Sequence, residues 1–313
     1  MKKTNKKQTL PKNLTDVVNE LCKQQKSILA KEASCSCSHP LPSSDTVEHI
    51  VTDLRSILFP FHFGLNDFGP DRHVTEMQSK LERLQPLLKE QILRGLCYDC
   101  RVNQKGDHKT CETQSDKITK QFLYFLPKIK ELLSSDVSAA YNGDPAAASL
   151  DEAVFCYPGI HAMTNYRLAH ELFILSVPLI PRMITEQAHS KTGIDIHPGA
   201  TIGNNFFIDH GTGVVIGETC VIGNNVRLYQ GVTLGAKSFP LDSEGNPVKG
   251  VARHPIVEDD VIIYSEATIL GRVTIGKGST IGGNVWLTHS TPPGSHVTQA
   301  TAQEGKFDQG GGI

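Results

Sequence analysis

Between residues 194 and 287, an aliphatic residue recurs at every sixth position and is often followed by glycine. The repeat has three phases, which run through Ile196, Ile202, Ile208 and Val214, then Ile216, Ile222, Leu228 and Leu234, then Val257, Ile263, Ile269, Ile275, Ile281 and Leu287. A period of six fits neither an α-helix nor an alternating strand. It is typical of a parallel β-helix, in which each hexad supplies a short strand and a corner. The pattern therefore predicts that these aliphatic side chains point into a stack of coils.

The six-residue period is interrupted at two places. Within 209–213 the phase slips by two residues, and over 236–255 the period is replaced by a polar loop rich in Gly and Pro. Loops of this length inside a compact fold are usually functional. We therefore expect the chemistry of the protein at these two interruptions.

Ahead of the repeats, hydrophobic residues recur at helical spacing, which predicts a domain of helices. The predicted helices are one around 13–31, one that is capped by Asp45 and stops at Pro60, one over 74–96 that Pro86 kinks or splits, one over 115–133 that contains Pro127, a short one that the capping box of Ser149 and Glu152 opens, and two over 160–175 and 182–190. The apolar stripes of these helices are interpreted as core and oligomer packing.

The fold class that follows is α+β, with an all-helical N-terminal domain followed by a left-handed parallel β-helix that carries one long protruding loop. The predicted divisions are a polar, partly disordered N-terminus at 1–43, a helical domain at 44–190, the β-helix at 191–292 with its loop at 236–255, and a flexible tail at 293–313.

Composition narrows the function classes only a little. The chain has 313 residues, and its formal net charge of -2 argues against a nucleic-acid-binding role. The longest apolar run, 172–181, is too short to span a bilayer, so no membrane role is expected. Eight scattered cysteines without a recognisable signal peptide favour reduced thiols in a cytoplasmic protein.

One group of cysteines has spacing that suggests a metal. Cys97 and Cys100 form a Cys-x2-Cys pair, and His108 and Cys111 follow shortly after. A zinc site is one interpretation, and a loop with incidental thiols is the other. Because no second Cys pair follows downstream, the prediction is that the protein contains no metal.

The two interruptions of the repeat offer the groups needed for acid–base chemistry. His210 lies at the phase slip and can act as a general base near neutral pH. Asp195 lies 15 residues earlier, about one coil back, where its carboxylate would orient the imidazole. Asp209 offers a negative charge to an ammonium group, and Arg253 offers its fork of N–H groups to a carboxylate. This set predicts an amino-acid substrate that is deprotonated on its side chain. Because no cysteine is placed as a nucleophile, we expect direct transfer.

Seven short motifs extend from the last helices into the β-helix. They are Gly143–Ala146, Tyr166–His170, Gly193–Pro198, Ile208–Gly213, Val215–Thr219, Gln230–Gly235 and Arg253–Pro255. Together they resemble the serine acetyltransferase family of hexapeptide-repeat acyltransferases, over roughly 144–293. The long loop resembles the subgroup with an extended loop and a divergent helical domain. The resemblance implies transfer of acetyl from acetyl-CoA to the L-serine hydroxyl, which gives O-acetyl-L-serine for L-cysteine biosynthesis.

The resemblance also implies roles for individual residues. His210 would be the base and Asp195 its partner. The serine would be held by Asp144 and Asp209 at its ammonium group, by Arg253 at its carboxylate and by His254 in the same pocket. The CoA arm would meet the backbone near Gly235, Ala236 and Ser265, and no metal would be required.

The resemblance further implies partners. Members of the family form a homotrimer or a dimer of trimers, with sites between neighbouring β-helices, and L-cysteine inhibits them by occupying the serine site. In the family a terminal isoleucine, here Ile313, inserts into O-acetylserine sulfhydrylase; an unstructured end is the alternative.

Alternatives to serine acetylation remain open at the level of the residues. The three alternatives are another hexapeptide acyltransferase that acts on homoserine or a sugar, a non-catalytic β-helix scaffold for assembly, and a metal-dependent hydratase. An ammonium site together with a carboxylate site argues against a sugar. A hydratase would need histidine ligands on a common face, which the sequence does not show.

Overall fold

The computed structural model of the protein describes residues 13–29, 37, 39–64, 70–103, 107–238 and 240–299. In this part of the chain, helices come first and short strands follow. The helices are α1 (Leu14–Leu29), α2 (Ser44–Leu58), α3 (Pro70–Asn103), α4 (His108–Gly143), α5 (Leu150–Cys156), α6 (Pro158–Ile174) and α7 (Ile180–Thr192). The strands are β1 (Asp195–Ile196), β2 (Thr201–Ile202), β3 (Phe207–Ile208), β4 (Val215–Ile216), β5 (Val221–Ile222), β6 (Arg227–Leu228), β7 (Thr233–Gly235), β8 (Ile256–Val257), β9 (Ile262–Ile263), β10 (Thr268–Leu270), β11 (Thr274–Ile275), β12 (Thr280–Ile281), β13 (Trp286–Leu287) and β14 (His296–Val297).

The strands form three parallel sheets that wrap into a prism. Sheet A contains β1, β4, β7, β10 and β13, sheet B contains β2, β5, β8 and β11, and sheet C contains β3, β6, β9, β12 and β14. The chain visits A, B and C in turn, so each coil has three corners, and corners stack into three edges. Edge AB consists of 197–200, 217–220, 236–255 and 271–273, and edge CA consists of 209–214, 229–232, 264–267 and 282–285.

The strand register locates both interruptions of the repeat. In sheet A, Val215 pairs with Thr233 and Thr268 with Trp286, steps of 18 residues that correspond to three hexads. The step from Asp195 to Val215 is 20 residues and the step from Thr233 to Thr268 is 35. The two extra residues lie on edge CA and the extra loop lies on edge AB. The predicted β-helix, its inward aliphatic positions and its long loop are confirmed, and those positions are buried throughout.

The helices differ from the prediction at their ends and at their prolines. Ser43, not Asp45, caps α2, because its hydroxyl accepts a hydrogen bond from the Thr46 amide. Pro86 does not split its helix, and α3 and α4 each continue through an internal proline. Extensive packing between α3 and α4 maintains both helices across the lost hydrogen bonds. None of the helices in the described ranges is long and apolar enough to cross a membrane.

Helix α6 fastens the helical part to the first coil. The Arg167 guanidinium donates to both carboxylate oxygens of Asp136 and to the carbonyl oxygens of Ile202 and Gly203. Both charged groups are buried, so each depends on the other for its charge to be tolerated. The Tyr166 hydroxyl donates to a further carbonyl of the first coil. The motif at 166–170 is therefore structural, and it fixes the helix that reaches the phase slip.

The stack of coils extends past its predicted end. Strand β14 pairs with β12 beyond the predicted boundary at residue 292. The two prolines 292 and 293 occupy a turn before β14, which explains why the hydrophobic period stops there. Residues 300–313, including Ile313, lie outside the described ranges.

Candidate active site

The phase slip presents His210 at the surface of edge CA. His210, Gly211 and Gly213 have φ angles of 55°, 88° and 82°, so left-handed residues accommodate the two-residue insertion. Gly211 cannot be replaced without strain, since a Cβ there would lie 2.5 Å from Ile194. The His210 side chain is 75% exposed and its Nε2 lies 3.7 Å from Oδ1 of Asp209, which is 16% exposed. The slip thus displays an accessible imidazole beside a shielded carboxylate.

Asp144 joins this edge from the end of α4. Its carboxylate accepts hydrogen bonds from the Tyr157 hydroxyl at 2.5 Å and from the Ala146 amide at 2.8 Å. The Tyr157 hydrogen bond is the main reason why the pKa of Asp144 is lowered, and the nearby His210 contributes. Gly159 allows this approach, because a Cβ there would lie 2.4 Å from the carbonyl oxygen of Ile208. Asp144, Asp209 and His210 therefore form one group, which we call the CA half-site.

Arg253 lies on the other edge, AB, at the base of the long loop. Its Nη2 donates to Oε2 of Glu218 at 2.8 Å, and its backbone amide donates to the Thr219 hydroxyl. Glu218 and Thr219 occupy the same corner one coil earlier. The guanidinium is thus held in place while several of its N–H groups remain available to a carboxylate.

His254 packs beside Arg253 and is buried. Its ring rests directly on Gly217, where a Cβ would lie 2.1 Å from the ring. Nδ1 accepts a hydrogen bond from the Thr219 amide at 3.1 Å, so the ring is neutral and carries its proton on Nε2. Burial and the adjacent Arg253 lower the pKa of His254 to about 4. Arg253, His254 and Glu218 form the AB half-site, in which His254 is uncharged at neutral pH.

Asp195 does not contact His210 within the chain. The carboxylate of Asp195 lies within 4.8 Å of the side-chain ligand atoms of Glu186 and His189 on α7. In the described residues, no hydrogen bond or ion pair connects it to His210. Asp195 starts β1 on sheet A, between the two edges, whereas His210 follows β3 at the corner. The expected pairing of Asp195 with His210 is therefore absent from a single copy.

The predicted CoA contacts are divided between the same two edges. Gly235 is the last residue of β7 and Ala236 is the first residue of edge AB, whereas Ser265 lies on edge CA, two coils beyond His210. Beside Ala236, a cleft of about 290 Å³ opens between the loop and the next coil, lined in part by Arg253 and Arg272. The residues predicted to bind the substrate and those predicted to bind CoA are therefore both divided between the two edges that border sheet A.

Two family models match the repeats. The bacterial transferase hexapeptide model (six repeats) matches residues 254–289, and the hexapeptide repeat of succinyl-transferase matches 211–230. The chain is 54% identical to a plasmid-encoded serine acetyltransferase of Synechococcus elongatus. The match covers 88% of this chain and 87% of that relative.

The chain belongs to the serine acetyltransferase family.

Solved structures of this family extend the similarity to the whole fold. Serine acetyltransferase isoform 3 of Entamoeba histolytica, in complex with cysteine, has a TM-score of 0.68 and 36% identity, covering 92% of this chain and 96% of that one. The Neisseria gonorrhoeae serine acetyltransferase, in complex with serine, has a TM-score of 0.53 and 26% identity, covering 82% and 97%. The predicted family, the left-handed β-helix and the enzyme class of acyltransferase are confirmed.

Three further residues contact the two half-sites and had no role in the sequence-based prediction. The sequence gives Tyr157 no role, and Glu218 and Thr219 stand out only as part of the motif at 215–219. Glu218 and Thr219 occupy the corner beneath the Arg253–His254 pair, so the coil period could have identified them. The pairing of Tyr157 with Asp144 joins two helices and has no periodic signal.

Proposed function

We propose that this serine acetyltransferase carries out acetyl transfer to L-serine in a site assembled from two neighbouring copies, the CA half-site of one and the AB half-site of the next. The observation that supports this most strongly is the separation of the half-sites. They lie on different edges of the same prism, with sheet A between them. One copy cannot close both groups around a molecule as small as serine.

Serine would be bound at its two charged ends. Asp144 and Asp209 supply negative charge for the ammonium group, and Tyr157 keeps the Asp144 carboxylate ionised and oriented. Arg253 of the adjacent copy supplies the carboxylate partner, and Glu218 holds the guanidinium in position. Neutral His254 lines the pocket without adding a second positive charge. The serine side chain branches from the carbon that carries both charged groups, and in this arrangement its hydroxyl would point toward His210.

Acetyl transfer needs one proton acceptor and one electrophile. His210 would take the hydroxyl proton as the serine oxygen attacks the thioester carbonyl of acetyl-CoA. The tetrahedral intermediate then expels the CoA thiolate, which recovers the proton from the imidazolium. No covalent enzyme intermediate is needed, because both substrates are bound together. Asp195 does not reach His210 within one copy, so it would orient this imidazole only if the assembly brings Asp195 of one copy next to His210 of its neighbour.

Acetyl-CoA would lie along the groove between copies. The neighbouring coils are spaced about 4.8 Å apart, so Ser265, two coils beyond His210, lies about 10 Å along edge CA. A CoA arm extending from the reacting thioester along this edge would meet Ser265 on one copy and Gly235 and Ala236 on the other.

A homotrimer would create three such sites. Closed threefold symmetry with sheet A facing the axis would bring the CA edge of each prism next to the AB edge of the following one. Sheet A lies between these edges and exposes apolar side chains on its outer face, including Trp286 at 70% and Val215 at 37%. Burial of this face in the trimer would remove it from water. The measured mass of the assembly would distinguish a single trimer from two trimers joined through the helices.

One further ligand is suggested by a relative, and one further partner rests on the family resemblance alone. Cysteine has the same charged ends as serine, and a cysteine complex exists for the Entamoeba histolytica relative, so we propose that L-cysteine inhibits by competing for the serine site. Binding of O-acetylserine sulfhydrylase through Ile313 remains a prediction, since that residue lies outside the described ranges.

Release of the CoA thiol in the presence of defined acceptors tests this function. We expect release from acetyl-CoA that saturates with L-serine, is far slower with homoserine, ethanolamine or glucosamine, and is inhibited competitively by L-cysteine against serine. Release that is independent of serine, or faster with one of the other acceptors, would contradict the assignment.

A further inference from the structure

Four cysteines lie together in the helical part, away from both half-sites. Cys37 precedes α2, Cys97 and Cys100 lie in the last turns of α3, and Cys111 lies in the first turn of α4. They are 1%, 0%, 3% and 5% exposed and form a cluster separate from the main hydrophobic core. Downstream of Cys97 and Cys100 the sequence contains no second closely spaced pair of cysteines, and Cys111 is a single one. In the fold, Cys37 from upstream joins Cys111 and supplies the fourth thiol.

Three of the sulfur atoms are spaced as in a metal site. The Sγ atoms of Cys37, Cys100 and Cys111 all lie within 4.8 Å of one another, and those of Cys37 and Cys100 are 3.5 Å apart. Four thiolates around tetrahedral zinc, with Zn–S bonds of about 2.3 Å, have sulfurs about 3.8 Å apart. The three thiols therefore already form approximately one face of such a tetrahedron.

Cys97 is the candidate for the fourth corner. Its thiol is within hydrogen-bonding reach of Cys111. Its Sγ also lies within 4.8 Å of ring nitrogens of His39 and His108, whose ring centroids are 4.7 Å apart. We propose that Cys37, Cys97, Cys100 and Cys111 bind a structural Zn²⁺ ion, and that His39 and His108 donate N–H groups toward the bound sulfur of Cys97.

The surrounding residues suit a negatively charged zinc–tetrathiolate group. Arg101 donates from Nη1 to the carbonyl oxygens of Cys37 and His39, at 3.2 and 2.5 Å. These bonds hold the backbone at Cys37 and His39 against α3 and place a positive charge near the cluster. Cys97 and Cys100 are three residues apart, so one helix face presents both. Zinc binding would release the thiol protons to solvent and tie Cys37, which precedes α2, to the end of α3 and the start of α4.

The competing interpretation is a small core of neutral thiols. Buried cysteines can pack as small hydrophobic residues, and burial raises the pKa of the Cys111 thiol to about 12. This interpretation accounts for burial, but it does not account for the convergence of four thiols and two imidazoles from three segments. Metal content separates the two interpretations, and it does so independently of acetyl transfer.

The test is elemental analysis of the full-length protein, purified without a metal-affinity step from cells grown with zinc. We expect about one zinc per chain in the wild type, and about a tenth of that or less in Cys100→Ser and Cys111→Ser. Cys220→Ser, which changes a buried thiol of the β-helix, is the matched control and should retain full zinc. His108→Ala should also retain the metal, since the imidazole is not a ligand in the proposal.

Two measurements on the wild type keep the proposal falsifiable if the cysteine variants fail to fold. Removal of zinc by a chelator should lower the thermal midpoint by about 5 °C or more, and added Zn²⁺ should restore it. Co²⁺ substituted for zinc should give the intense visible absorption of a tetrahedral thiolate site. A wild-type chain that lacks zinc and takes up neither ion would overturn the proposal. Loss of zinc in Cys220→Ser to the same extent would do so as well.

Discussion

Replacement of His210 by asparagine is expected to lower kcat for acetyl transfer by about 10²- to 10⁴-fold, the usual contribution of a general base. Asparagine is the suitable replacement because it tolerates the left-handed conformation that residue 210 adopts, with φ of 55°. The side chain is largely exposed, so the coil should remain folded. The KM for serine should change little, since the ammonium and carboxylate partners remain. Steady-state kinetics with both substrates varied provides the measurement.

A matched control for this variant is His296→Ala. His296 is an exposed histidine in β14 on sheet C, at the end of the stack, and its loss should leave kcat unchanged. If His210→Asn retained more than about a tenth of the wild-type kcat, His210 would not be the base.

Replacement of Arg253 by alanine is expected to raise the KM for serine by about 10- to 150-fold, which corresponds to about 1.5–3 kcal/mol for a hydrogen bond to a charged group. The effect should be specific to the substrate carboxylate. Ethanolamine lacks that carboxylate, so its rate should fall little, and the preference for serine over ethanolamine should largely disappear. The comparison of kcat/KM for the two acceptors is the measurement.

Arg253→Lys separates the charge of Arg253 from its geometry. Lysine retains the positive charge but not the planar fork, so we expect an intermediate KM for serine. An unchanged preference for serine in Arg253→Ala would show that another residue binds the carboxylate.

The sequence predicted the β-helix well because its core is periodic. The buried residue that repeats at every sixth position is aliphatic in each coil, and the period departs at 209–213 and 236–255, where the chain adds residues at a corner. The irregularities of the repeat therefore mark the site in the sequence alone. The helical part was harder to predict, since packing between α3 and α4 carries both helices through prolines that end helices in isolation.

Contacts that join distant segments could not be predicted from the sequence. Nothing local indicates that Tyr157 would bind Asp144, or that Cys37 would meet Cys100, 63 residues away. For Asp195, spacing along the chain suggests a contact with His210, whereas within one copy Asp195 lies on sheet A and His210 at a corner, so the pairing stays a prediction for the assembly. Residue separation gives the position along the prism and does not give the direction in which a side chain points.

The central claim, that each active site joins His210 of one copy to Arg253 of the next, is tested most directly by mixing two impaired variants. In the first mixture, His210→Asn chains and Arg253→Ala chains are co-expressed in equal amounts. In the second mixture, wild-type chains are co-expressed in equal amounts with chains that carry both substitutions. Both mixtures are assayed at low serine concentration. Sites shared between copies predict about a quarter of wild-type activity in both mixtures, because one in four interfaces pairs two intact half-sites. Sites within one copy would instead give almost no activity in the first mixture and about half in the second, and that result would contradict the account.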